Sequence, residues 1–427
     1  MRVLMTSFAE QSHFSGSVPL AWALRTAGHE VRVASQPALA PAITGAGLTA
    51  VPVGENPALH TVLGAVGGPM MALHDRADYL EKRHERLGRD FLMSHETVMT
   101  SLFYSWINNE SMVDELVAFA RAWRPDLVIW EPFTFAGAVA ARASGAAHAR
   151  LLSFPDMFMS TRRLLREHWE RGTETEHDDA LGEWLALTLE RYGCSFDEEI
   201  VTGQWSIDQM PPSVRLSLEQ PLVPMRYVPY SGQVPTVVPP WLRSAPAWPR
   251  ICVTAGMTTR YTGAPSTILV DDVFDAVSGL DAEVVATVDP AERELIPSVP
   301  DNVRLVDHVP LDVLLPTCAA ILHHGGAGTW ATAAASGVPQ ISLGRVWDAV
   351  YRSQRLAELG AGLYLPAGGV SAESLRSGLL RLLKEPEFRL RAQELQAEVN
   401  AAPSPNEVVE VLERLTARHR SRTAAPA

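Results

Sequence analysis

Residues 3–53 read VLMTSFAEQSHFSGSVPLAWALRTAGHEVRVASQPALAPAITGAGLTAVPV, and the periodicity of that stretch decides the fold. Val3, Leu4 and Met5 form a short apolar run of the kind buried on both faces of a parallel sheet. A polar loop from Ser7 to Gly16 follows, then a helical pattern from Val18 to Ala27 ended by Gly28, then a second strand over Glu30 to Ala34. Another helix-like stretch, Pro37 to Gly45, precedes a third strand near Leu48 to Val53. This βαβαβ alternation requires crossovers, and crossovers of that kind build a parallel sheet. The spacing predicts half of a Rossmann-like, doubly wound α/β domain.

Working outward, Trp123-Arg124-Pro125-Asp126 breaks the chain, Leu127 to Trp130 reads as a buried strand, and Phe133 to Ala143 as an alanine-rich helix closed by Gly145. The first domain therefore continues past its third strand. Between them, Asn56 to Ala120 lacks strand patterns and reads as helical. Its Met70, Met71, Phe91, Met93, Met99, Phe103, Tyr104 and Trp106 are either ordinary core or an adaptable apolar wall for a bulky ligand.

Ten prolines from Pro211 to Pro249 cannot propagate a helix or a central strand, which places an interdomain linker over 211–248 after a first domain of 1–210. A second alternation over 249–402 has strands at Ile251 to Thr254, Glu283 to Val288, Val303 to Val306, Ala320 to Leu322, Gln340 to Leu343 and Leu363 to Leu365. The tail, 403–420, carries a helical apolar stripe at Val408, Val409, Val411, Leu412 and Leu415 that needs a partner surface, and residues after His419 are expected to be disordered.

Length and composition bound the function. The 427 residues, 47% apolar, exceed what one core usually serves. A formal charge of -13 repels nucleic acid and anionic lipid alike, so neither is an expected partner. Cys194, Cys252 and Cys318 are odd in number and fit no metal-ligand spacing, and no run approaches the ~20 apolar residues of a membrane span. The reading is a soluble protein of the reducing cytoplasm, with no metal site.

In open parallel sheets, ligands sit beyond the carboxyl ends of the strands where strand order reverses. His13 lies in the first such loop, and Glu131 directly follows the Leu127 to Trp130 strand. A carboxylate on one imidazole nitrogen leaves the other to act as a general base, although a lone loop histidine is more often solvent decoration and such a Glu more often a cap.

The strongest local signal is Ile321-Leu322-His323-His324-Gly325-Gly326-Ala327-Gly328-Thr329-Trp330, a buried strand running through a glycine turn into an alanine-rich helix. Its exposed N–H groups and the helix end suit a diphosphate, with His324 and Thr329 adding side-chain bonds. There is no G-x-x-x-x-G-K-[ST] motif, and no G-x-G-x-x-G after the first strand. Thr254, Gly256 and Thr258, with Trp347 and Asp348, fall at further strand ends of the same crevice. Asp348 is equally placed to accept bonds from a sugar or to cap the helix that starts there.

These residues carry a family likeness. The chain resembles the inverting nucleotide-sugar glycosyltransferases of the GT-B fold, two Rossmann-like domains facing a central cleft, and among them the actinobacterial deoxysugar transferases that decorate macrolide and anthracycline polyketides. The likeness runs through Ser12-His13-Phe14, Ala27-Gly28-His29-Glu30-Val31, Trp123 to Pro132, Phe196-Asp197-Glu198-Glu199, Thr202-Gly203-Gln204-Trp205, Met225 to Tyr230 and the His323 to Trp330 turn.

What the resemblance implies is specific. His13 holds the general-base position and Glu131 that of the acid orienting it. His324 and the Gly325 to Thr329 amides bind the donor diphosphate, with Thr254 and Thr258 nearby. His308 and Val309 lie beside the nucleobase, and Trp347 and Asp348 beside the donor sugar, where Ala349 in place of the usual Gln suits a deoxygenated ring. Phe14, Met70, Met71, Met93, Phe103 and Trp106 are assigned to the acceptor pocket. The implied donor is a TDP-deoxysugar, an aminodeoxysugar included; the acceptor is a polyketide hydroxyl, and no cofactor or divalent metal is required. The likeness further implies a cytochrome-P450-like helper, a tail helix crossing back to the first domain, and leaves a homodimer open. A nucleotide-sugar 2-epimerase and a non-catalytic nucleotide-sugar-binding partner of this fold are the rival readings.

Overall fold

The computed structural model describes residues 1–57, 88–171, 178–216, 218–232, 237–255, 270–288, 293–294, 296, 298–345, 347–366 and 369–423. Seven strands, β1 (Arg2–Thr6), β2 (Glu30–Ser35), β3 (Thr49–Pro52), β4 (Leu127–Trp130), β5 (Ala147–Leu152), β6 (Trp205–Asp208) and β7 (Leu222–Pro224), form one parallel sheet in the order 3-2-1-4-5-6-7. Six more, β8 (Arg250–Thr254), β9 (Glu283–Thr287), β10 (Val303–Val306), β11 (Ala320–His323), β12 (Gln340–Ser342) and β13 (Gly362–Tyr364), form a second parallel sheet in the order 10-9-8-11-12-13. The two doubly wound sheets are the expected α/β architecture. Each reverses strand order once, between β1 and β4 and between β8 and β11, and so opens a crevice there.

Alternation along each strand sorts the core into two faces. Leu4, Val128 and Trp130 face the helices Glu110–Trp123 and Ala136–Ser144, while Val3, Met5, Leu127 and Ile129 face the helix Val18–Thr26. Gly137 lets the helix Ala136–Ser144 lie directly on the sheet: a Cβ there would sit 2.3 Å from Thr6 Oγ1 and 2.7 Å from Trp130 Cβ.

Three differences from the sequence reading have physical causes. The loop from Ser7 to Gly16 contains a short helix, Gln11–Phe14, whose first turn is capped by the Glu10 side chain, and a 3-10 turn, Ser15–Ser17; four residues leave no periodicity to read. Strands β5 to β7 were unseen. β5 is buried throughout, yet His148 and Arg150 interrupt its apolar run, and their polar atoms find partners such as Trp130 Nε1 and Ser206 Oγ inside the fold. β7, at Leu222–Pro224, lies within the segment read as a linker and is an edge strand of the first sheet, where proline is tolerated.

The helix Pro405–Thr423 returns to the first domain. Val408, Val409 and Leu412 join the face formed by Val3, Met5 and Leu24, and Glu413 sits 2.9 Å from His29 Nε2. The helix continues past His419 to Thr423, and Arg420 pairs with Asp126, so the first residues expected to be disordered are helical; 424–427 lie outside the described residues. Among the described residues no helix is long and apolar enough to cross a membrane.

Candidate active site

His13 and Glu131 meet at the β1/β4 reversal. His13 Nδ1 is 2.8 Å from Glu131 Oε1. The other carboxylate oxygen accepts from Phe133 N at 2.9 Å and Thr134 Oγ1 at 3.0 Å, and Thr134 Oγ1 accepts from Phe8 N at 3.0 Å. A carboxylate held in this way fixes the ring with its proton on Nδ1 and leaves Nε2 as the acceptor. Burial works to lower the His13 pKa, but the Glu131 charge and hydrogen bond outweigh it, and the net shift is upward. The side chain keeps 24% exposure, enough for a ligand to reach it. Phe8, Phe133 and Phe154 surround the ring at centroid distances of 4.6, 5.4 and 6.3 Å.

The glycine turn follows β11. Gly325 has φ +90°, and a Cβ on it would lie 2.6 Å from Gly344 Cα, so only glycine fits. Its N–H donates to His323 Nδ1 at 3.0 Å, and His323 Nε2 is 2.8 Å from Gln340 Oε1. Gly325 therefore shapes the turn but offers no amide to a ligand, a correction to its expected role as donor. The helix Ala327–Ala335 has no side-chain cap, so the amides of Gly326, Ala327, Gly328 and Thr329 are its unsatisfied first donors. Burial and the nearby Arg352 charge lower the His324 pKa to about 4, against a hydrogen bond to the Thr254 backbone. His324 is thus a neutral ring at pH 7. Thr254 ends β8 beside His323 and accepts from Thr287 Oγ1 at 2.8 Å. Thr258 and Gly256 lie outside the described residues.

Other expected residues fall in different places. His308 is exposed, whereas the Val309 side chain is core, packed with Cys252 and Leu314, and cannot touch a base. Asp348 pairs through Oδ2 with the buried Arg352 one helical turn on, which leaves its other oxygen for the sugar expected there. Trp347 opens the helix Trp347–Glu358 at φ +39° and reaches the first domain, 5.5 Å from Phe103 and 6.0 Å from Phe158. Ala327, at the head of the glycine-turn helix, packs against the same first-domain cluster. The two reversal points thus face one cleft.

Of the acceptor-pocket residues, Phe103 lies at that cleft. Phe14 is buried on the opposite face of the sheet with Val3 and Met5, because its short helix turns the ring under β1. Met93 packs in a peripheral cluster with Leu164 and Trp169, Trp106 is 42% exposed, and Met70 and Met71 lie outside the described residues. Among the described residues no group of three His, Cys, Asp or Glu is placed to hold a metal.

Comparison with known proteins covers nearly the whole chain. Residues 22–256 match the model described as erythromycin biosynthesis protein CIII-like, N-terminal domain, and residues 271–415 match its C-terminal counterpart. The chain belongs to the CIII-like family of glycosyltransferases. It is 59% identical to the aklavinone 7-beta-L-rhodosaminyltransferase of Streptomyces galilaeus over 430 residues, 99% of this chain and 97% of that one. It is 47% identical to the 10-deoxymethynolide desosaminyltransferase of Streptomyces venezuelae, covering 98% of each. The solved structure of the glycosyltransferase VinC in complex with dTDP superposes with a TM-score of 0.87 at 41% identity, covering 98% of this chain and 100% of that one. The fold of this CIII-like transferase is therefore GT-B.

Sequence reasoning missed the aromatic surround of His13 in the CIII-like transferase. Phe8, Phe133 and Phe154 each follow the end of a strand by two or three residues. That signal was present, but Phe154 can be placed only once β5 is recognised.

Proposed function

We propose that the chain is an inverting transferase that moves a deoxysugar, an aminodeoxysugar included, from a TDP-sugar to a hydroxyl of a polyketide aglycone. The observation that carries this reading is the 2.8 Å His13–Glu131 pair in the same cleft as the uncapped helix of the glycine turn. His13 Nε2 accepts the proton of the acceptor hydroxyl. The oxygen attacks the anomeric carbon from the face opposite the diphosphate, the bond from that carbon to the leaving oxygen breaks, and TDP departs. His324 and the amides of Gly326, Ala327, Gly328 and Thr329 receive the charge that develops on the leaving group.

The names of the relatives support both substrates: one acts on aklavinone, an anthracycline aglycone, and one on 10-deoxymethynolide, a macrolide aglycone. A cytoplasmic location and a P450-like helper complete the reading, and the oligomeric state is left open. The test is incubation of the purified chain with TDP-deoxysugars and these two aglycones, with and without candidate helpers, products being detected by mass spectrometry and the configuration of the sugar read by NMR. Glycosylated aglycone with an inverted anomeric centre is expected. No product under any condition overturns the proposal, altered nucleotide sugar formed without an acceptor marks an epimerase, and full activity alone dismisses the helper.

A further inference from the structure

A cavity in the first domain is lined by Pro132, the neighbour of Glu131, and by Leu92, Met99, Tyr104, Phe158 and Met159 among others. It shares a wall with the reaction cleft. The Phe158 ring lies 4.9 Å from Phe133, which contacts His13, and 6.0 Å from Trp347 of the second domain. Apolar and aromatic side chains supply most of the lining, and His95, Glu96, Arg150, Asp156, Thr161 and Arg162 add polar groups to it.

Arg162 is buried and holds three carboxylates. It donates from Nη1 to Glu96 Oε1 at 2.7 Å, from Nη2 to Asp179 Oδ2 at 3.0 Å, and from Nε to Glu198 Oε1 at 2.6 Å. Arg166 adds a second cation 3.5 Å from Glu198. One guanidinium cannot satisfy all six oxygens, and among the described residues Glu96 Oε2 is buried without a hydrogen-bond partner. The Glu96 side chain is only 9% exposed, so bulk water does not supply one. A buried oxygen of this kind is costly unless something bonds to it.

We infer that Glu96 is a specificity-determining residue of the acceptor pocket, its Oε2 bonding a hydroxyl on the edge of a flat, largely apolar acceptor remote from the hydroxyl that meets His13. The inference rests on the acceptor reading above. Burial raises the Glu96 pKa to about 7 against the pull of Arg162, so near neutral pH the group can give a hydrogen bond as well as take one. Aglycones that lack a hydroxyl at that edge leave the oxygen unpaired and bind less well.

The test is a binding measurement that requires no sugar transfer. Quinizarin, a dihydroxyanthraquinone, and anthraquinone itself are titrated against the full chain, with tryptophan quenching as the readout. The wild type is expected to prefer quinizarin by about tenfold, the value of one well-placed hydrogen bond. Glu96→Leu is expected to abolish the preference without changing anthraquinone binding. Glu96→Asp keeps the charge beside Arg162 but draws the oxygen back by one methylene, and is expected to lose most of the preference with TDP binding intact. Equal affinities in the wild type, binding of neither probe, or a preference that survives in either folded variant overturns the inference. Failure of sugar transfer alone would count against the proposed reaction and leave this result standing.

Discussion

Arg352 Nη2 donates to the carbonyl oxygen of Gly325 at 2.7 Å, and the same guanidinium pairs with Asp348. A fully buried cation thus ties the helix Trp347–Glu358 to the back of the glycine turn. Burial lowers its pKa to about 9, which still leaves it charged at pH 7. Arg352→Met is expected to weaken TDP binding by about tenfold or more, because a hydrogen bond from a charged group contributes ~1.5–3 kcal/mol. Arg352→Lys should restore only part, since an ammonium cannot make both contacts in one plane. Calorimetric titration with TDP checks this, and an unchanged Kd for the Met variant refutes it.

The upward shift of His13 fixes the sign of a pH effect. A general base works when neutral, so kcat/KM should rise with pH through a midpoint above the ordinary 6.5. The stabilising ion pair with Glu131 is fully present below 6.5 and fades as pH rises through the folded value, so activity grows as that contribution to stability is lost. Glu131→Gln is expected to move the midpoint down and to lower turnover. His13→Ala is expected to cut kcat by at least ~10²-fold with TDP binding unaltered. Initial-rate pH profiles of the three proteins decide the matter; a midpoint indifferent to Glu131 removes its orienting role.

The paired histidines of the second domain make it acid-sensitive. Burial lowers His323 to about 3, helped by the adjacent His324 and by Arg352, and lowers His324 to about 4. Their neutral folded forms contribute stability that is complete above the unfolded value of 6.5 and is lost as pH falls through 4 and then 3. Thermal melts between neutrality and pH 4 should show falling stability, less so with TDP bound, because the diphosphate charge favours a protonated His324. A melt that TDP protects equally at both pH values would exclude the His324 part of this account.

The tail helix is held by buried apolar contact, with Leu412 fully enclosed. Leu412→Ala should destabilise the first domain by ~2–5 kcal/mol through lost burial and the cavity left behind. TDP affinity, set in the second domain, should be unchanged. Differential scanning calorimetry with and without TDP reads both, and a wild-type melt would show that the tail is merely laid on the surface.

Much of the fold was legible because its signals are local. The strands around β1 and β8 are short apolar runs between helical stretches, and that alternation alone dictates two parallel sheets. Strand order then brings the loop holding His13 beside the end of β4, so their contact could be anticipated across 118 residues. β5 was not legible, since His148 and Arg150 look polar until their partners inside the fold are known. The acceptor residues fared worst for the same reason: Phe14 and Met93 are apolar at helical spacing, and only packing says which surface each covers.

The chain order of apolar and polar residues determined the parallel sheets, the site of each crevice, and the glycine turn, because backbone periodicity and φ preference act over a few residues. Tertiary structure alone decided which donors and carboxylates remain available. His323 claims the Gly325 amide, Arg352 claims one oxygen of Asp348, and among the described residues Arg162 leaves one oxygen of Glu96 unbonded. Each outcome is a competition between buried partners for a limited number of hydrogen bonds; the first two pairs are neighbours in the chain whose burial sets the outcome, and the third is brought together only when parts of the chain 66 residues apart pack.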